Sequence, residues 1–325
     1  MTTLYGDSNS NLYSNVSTSA SFTTQSSTVS TVSTSSHMPL RLSKKLLNQA
    51  RDRLLALQEK LEVDEDTKPI IIAENVSLGD YIKYRKTDRK LPVRIRLVDG
   101  KILAYEVPLT SHGAVVGRIS KMVVVWNNQL DCAYEEDLIV GLNSYYTADL
   151  TIRPQGLPRA PAGQEPNSDG NAYPTMVVEV GNSEPVPSLH DLSAGYFSPR
   201  TTIQIYLAIK LFPIRQNGTR AMLALRYLRT NHNNTVPDII ISFGTASPHS
   251  STIEFLTNVV GVPPANITGV GFSATACNTP GLPDYRLHIP VIELFNGASG
   301  GVPGAFNGLY LDLWELQNIV LTLTR

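Results

Sequence analysis

The chain has 325 residues, 42% of them hydrophobic and 17% charged, with a formal net charge of -1 at pH 7. That length can hold one large domain or two ordinary ones, and the charge supplies no global basic field for nucleic acid or anionic lipid, so a polyanion would need a local patch. Two cysteines, Cys132 and Cys277, exclude a disulfide framework and a thiolate zinc cluster, and no apolar run approaches the roughly 20 residues that span a bilayer. Residues 1–37 are dominated by Ser, Thr and Asn, a composition that cannot offset the ordering of its backbone, and they are expected to form a disordered tail. No basic start precedes an apolar segment there, so the sequons at Asn75, Asn217 and Asn266 read as chance and an intracellular location, nuclear or cytoplasmic, is expected.

Residues 38–68 change character. Leu42, Leu46, Ala50, Leu54, Leu57 and Leu61 recur at three- or four-residue spacing, with Lys44, Lys45, Arg51, Arg53, Glu59 and Lys60 around them. This predicts an amphipathic helix that packs on the domain or on a partner helix, its basic residues forming a solvated face. Residues 69–325 form the domain proper. LPVRIRLVDGKILAYEVP alternates and turns at Asp99 and Gly100, a hairpin signature. A helix is predicted over 112–126, and strands over 137–142, 145–152, 175–180, 203–211 and 221–229. A Pro/Gly/Asn-rich loop covers 154–174, and a short helix over 189–197 connects the third and fourth of those strands. Strand, crossover helix and strand imply a parallel pair and an α/β sheet. An insertion at about 230–283 brings a further strand at DIIISFGTA and a helix at STIEFLTNVVGVPP. IELFNGASGGVPGAFNG lacks the lysine and spacing of a phosphate-binding loop. A short closing helix carries Asp312, Trp314 and Glu315, with Trp314 expected in the core.

Two acids stand out. In PTMVVEVGNSE, Glu179 interrupts an apolar run, and a buried carboxylate must shift its pKa, find a cation or emerge into a cleft. An outward position on an edge strand is the plain alternative. Asp149 ends YYTADLTI, where a turn-forming role is the plain alternative. Together they could share a Mg2+, a hard ion that prefers oxygen ligands and can activate water for phosphodiester hydrolysis.

The order of the pieces resembles a family, the compact bacterial-type restriction endonucleases of the PD-(D/E)XK nuclease superfamily, here in a divergent and enlarged form. The resemblance runs from about Leu78 to Leu316 through IRLVDGKILAYE, PLTSHGAVVGRI, ADLTIRP, PTMVVEV, LHDLSAGYFSPRTTIQIYLAI and GLYLDLWELQ. It implies an α/β, α+β-like fold with a restriction-endonuclease-like mixed β-sheet flanked by helices. It further implies Mg2+ or Mn2+ held by Asp149 and Glu179, and DNA as substrate. Two positions depart from the pattern. Gly181 stands where the family's lysine would be, which makes Lys210 the candidate catalytic replacement and Arg200 a second cation. Arg96 stands where many relatives carry a glutamate, with Glu106, Glu135 and Glu136 as candidates to replace it. His112 could orient water or bind phosphate, or simply cap its helix. The competing expectation is a catalytically inactive pseudo-nuclease that binds protein or nucleic acid, with the helix at 42–61 recruiting a partner. A glycoside hydrolase is disfavoured by the modest number of aromatics.

Overall fold

The computed structural model describes residues 40–60, 70–87, 91–272, 275–304 and 308–323, without the side chains of 57–60. The expected tail at 1–37 lies outside the described residues. In chain order, α1 (Lys44–Lys60), β1 (Ile70–Ala73) and α2 (Leu78–Thr87) precede the hairpin β2 (Arg94–Val98) and β3 (Lys101–Glu106). Then α3 (Thr110–Trp126) leads to a second hairpin, β4 (Leu130–Gly141) and β5 (Ser144–Pro154). A strand, helix and strand follow as β6 (Met176–Gly181), α4 (Val186–Tyr196) and β7 (Ile205–Ile214), with β8 (Arg220–Leu228) and β9 (Ile239–Gly244) after them. The rest is α5 (Ser250–Glu254), β10 (Ile267–Gly269), β11 (Arg286–Ile289), α6 (Val291–Leu294), β12 (Leu309–Asp312) and α7 (Leu313–Leu323).

Ten strands make one mixed sheet in the order β1-β3-β2-β5-β6-β7-β8-β9-β10, with β4 added on β5, while β11 and β12 pair separately. The crossover through α4 makes β6 and β7 parallel, and β9 and β10 are the other parallel pair. Residues 230–283, expected to be an insertion, contribute β9 and β10 to this sheet. Helices cover both faces, which is why β6 is buried along its whole length and reads as an apolar run. On one face α3 and α7 place Val115, Ile119, Leu316 and Val320 against Val178, Val180 and Ile209. On the other, Leu189, Leu192 and Tyr196 of α4 meet Val177, Tyr206 and Ala208. Trp314 is only half-buried, packed against the rim of the first core.

A third apolar cluster joins α1 to the first hairpin, with Leu47, Ala50 and Leu54 packed on Ile70, Ile95, Leu97 and Ile102. Of the leucine stripe, Ala50 and Leu54 are buried on the chain's own domain, Leu42 is half-buried and Leu46 exposed. Among the described residues no helix is long and apolar enough to cross a membrane.

Candidate active site

The sheet forks at β5. β4 lines one edge of β5 from the pair Leu130 and Pro154 to the pair Gly141 and Ser144. The other edge is divided, because Tyr145 pairs with Leu97 of β2 whereas Leu150, Thr151 and Ile152 pair with Val178, Val177 and Met176 of β6. Asp149 stands at the branch, one residue before the β6 ladder begins. Glu179 follows the last paired residue of β6 on that side, so the fork brings the two predicted acids into one buried space at 3% and 1% exposure. The outward-facing alternative for Glu179 fails because β6 lies between β5 and β7 in the middle of the sheet.

Each Asp149 oxygen is engaged. Oδ1 lies 2.6 Å from Nη1 of Arg94 and 3.0 Å from Nε2 of His112, and Oδ2 accepts the Val180 amide at 2.7 Å. Burial pushes this carboxyl up, but His112, Arg94 and the Val180 amide together outweigh it and hold it at about 2. The same contact acts on His112, where burial favours the neutral ring and the Asp149 charge overrides it, raising the imidazole above its ordinary value. Arg94 continues outward, since its Nη2 donates to Oε1 of Glu135 at 2.8 Å. Glu135 is exposed and adopts φ +50°, a left-handed conformation uncommon outside glycine.

Glu179 has the opposite electrostatics. Its Oε1 accepts the Tyr196 hydroxyl, while Oε2 is buried with no hydrogen-bond partner among the described residues. Burial and the neighbouring Asp149 charge raise its pKa well above the carboxylate range, with Arg96 opposing them. Arg96 itself is committed elsewhere. Its Nη2 donates to Oε2 of Glu184 at 2.8 Å, and its guanidinium lies 3.4 Å over the Tyr105 ring. Ser188 donates to the other oxygen of Glu184 at 2.6 Å.

The loop after β6 is gripped from two sides. Glu106 accepts the amides of Asn182, Ser183 and Glu184 and the Ser183 hydroxyl, at 2.7 to 3.1 Å. Lys210 donates to the carbonyls of Asn182 and Glu184 at 2.7 and 2.6 Å. Lys210 is 1% exposed, on the β7 residue that pairs with Gly181. At Gly181 a side chain would be crowded. A Cβ on Gly181 would lie 2.9 Å from Cδ1 of Leu189 and 3.0 Å from the Glu184 carbonyl, so α4 and the gripped loop fill the space.

The remaining candidates sit apart. Arg200 donates to the carbonyls of Gly163 and Glu165, and Glu136 pairs with Arg153 at 2.6 Å. Sequence reasoning missed Arg94 and Tyr196. The available signal was Arg94 and Arg96 two apart on a strand, hence on one face, and two guanidiniums there require buried acids opposite.

The resemblance implies a divalent metal, and these residues do not fit one. Both Asp149 oxygens are engaged, by Arg94 and His112 on one and the Val180 amide on the other, burial and the Asp149 charge raise the Glu179 pKa, and Arg96, paired with Glu184, stands where the resemblance implies a third acid. Among the described residues no group of three His, Cys, Asp or Glu side chains is arranged to hold a metal.

No family model matches the chain, and no curated protein does. Among solved structures, it is similar to a candidate nuclease belonging to DUF820 from Anabaena variabilis, at 12% identity and a TM-score of 0.41 over 75% of this chain and 99% of that one.

Proposed function

We propose that the chain is a restriction-endonuclease-like domain that has given up metal-dependent hydrolysis and works as a binding module for nucleic acid or protein. The observation that carries this reading is the substitution of internal cations for a metal. Arg94 neutralises Asp149, and Arg96 neutralises Glu184. The order of elements supports the fold part, with a hairpin, an acid at the fork of β5, an acid on the central β6 and a crossover to parallel β7. Lys210 then acts as a positioning residue that fixes the 182–184 loop, and His112 as a second neighbour of Asp149 Oδ1.

One observation favours a second reading, a Mg2+ endonuclease. Glu179 Oε2 is a buried carboxylate oxygen without a hydrogen-bond partner, the kind of atom that calls for a ligand. Plasmid nicking with Mg2+ or Mn2+, together with duplex DNA anisotropy, decides between them. The binding-module reading expects no nicking above that of a Glu179→Gln control. Metal-dependent nicking that the control loses would overturn it.

A further inference from the structure

We propose that the cavity between α2 and β4 receives one unpaired nucleobase, and that this is how the domain holds nucleic acid. The proposal rests on the nucleic-acid half of the reading above and deepens it by naming what is bound. The cavity has a volume of about 510 Å³, room for a nucleoside, and Arg85, Tyr134, Asp137, Arg153 and Asn171 are among the residues that line it.

Charge decides what fits. Arg85 pairs with Asp137 at 3.3 Å, Arg153 with Glu136 at 2.6 Å and Arg94 with Glu135 at 2.8 Å. The acids that β4 turns to the cavity are thus cancelled, and the wall suits a neutral polar group better than an ion. Asp169, the other acid on the lining, is exposed, where solvent screens it. The wall nevertheless keeps donors to spare. Nε of Arg85 and Nε of Arg153 are buried with no hydrogen-bond partner among the described residues, and each calls for an acceptor. The carbonyl oxygens and ring nitrogens of a base are such acceptors. Tyr134 supplies the flat apolar side. It is 55% exposed, and its hydroxyl donates to Ser120 Oγ at 2.7 Å, which fixes the ring as a platform on which a base can stack. Lys86, exposed in the last turn of α2, also lines the cavity. It offers a cation to the phosphate of the same nucleotide, the local contact that a chain of net charge -1 needs to hold a polyanion.

The test measures fluorescence anisotropy in chelator with the full chain and two labelled DNA duplexes, one carrying a single unpaired nucleotide and one in which that nucleotide is abasic. The wild type should bind the first about tenfold or more tighter than the second. Tyr134→Ala should erase that preference, and Tyr134→Phe, which keeps the ring, should retain it. Lys86→Ala should weaken both duplexes alike and lower the salt slope by about 1. Equal binding of the two duplexes by the wild type, or a preference that survives Tyr134→Ala, overturns the proposal while leaving nucleic-acid binding intact. Binding of neither duplex overturns it together with the nucleic-acid half of the reading. Metal-dependent nicking would instead sink the non-hydrolytic reading and leave a base preference measured in chelator standing, so the failures are told apart.

Discussion

Replacing Glu179 with Gln should stabilise this protein at neutral pH, the reverse of the usual result for a buried acid that serves as a ligand. The carboxyl's pKa is raised far above 4.5 by burial and by the Asp149 charge. The native state therefore keeps a proton that the unfolded chain releases above pH 4.5. Stability from this group is complete below that pH and is lost as pH rises toward the folded pKa, at about 1.4 kcal/mol per pH unit. Gln copies the neutral form, still accepts the Tyr196 hydroxyl and carries no such loss. The advantage of Glu179→Gln should then grow from near zero at pH 4.5 by up to about 3 °C in melting temperature per pH unit. The assay is thermal or urea unfolding of both proteins at several pH values from 5 to 8. The difference curve cancels the contribution of His112, whose raised pKa also removes stability as pH rises. A variant less stable than wild type at every pH, or an advantage that does not grow with pH, would refute the neutral Glu179 and reopen the case for an ionised ligand.

Asp149→Asn has the opposite sign. Its carboxyl falls from 3.8 to about 2, so it supplies about 2 kcal/mol at neutral pH that disappears as pH falls through that interval; acid titrations of wild type and variant should converge near pH 2. Lys210→Met removes two charge-assisted bonds to the carbonyls of Asn182 and Glu184, and a loss of about 3 kcal/mol by urea unfolding is expected; an unchanged midpoint would deny the loop-positioning role. Gly195→Ala should be destabilising by about 1–3 kcal/mol despite its helical site, because the new Cβ would lie 2.5 Å from Cε2 of Tyr146; a stabilised variant would mean that Tyr146 moves freely.

What the sequence disclosed was local. The hairpin at Asp99 and Gly100 could be read because a two-residue turn needs left-handed backbone at both positions, and they adopt φ 46° and 78°. The parallel pair followed from strand, helix and strand in succession. The partners of the charged groups did not follow. Arg94 meets an acid 55 residues away and Arg96 one 88 residues away, across a fork that no periodicity encodes. Lys210 had the right residue type and face for a catalytic lysine, yet what it touches includes backbone carbonyls, which have no sequence signature. The start of β4 at Leu130 lies before the expected 137, because the half-exposed stretch 131–136 shows no alternation.

The divided edge of β5 has a mechanical consequence. On that edge β1, β2 and β3 are stitched to the rest of the sheet by the single ladder pair Leu97 and Tyr145, with a backbone bond from Gly100 to Asn143 at the turn. The other ties across that seam include ion pairs of Arg85 with Asp137, Arg94 with Asp149 and Arg96 with Glu184, and the grip of Glu106 on the 182–184 loop. Charge thus works as the weld between two parts of one sheet. Amide protons of the first hairpin should lose protection from exchange before those of β6 and β7, and the hairpin is the unit that would part first under load.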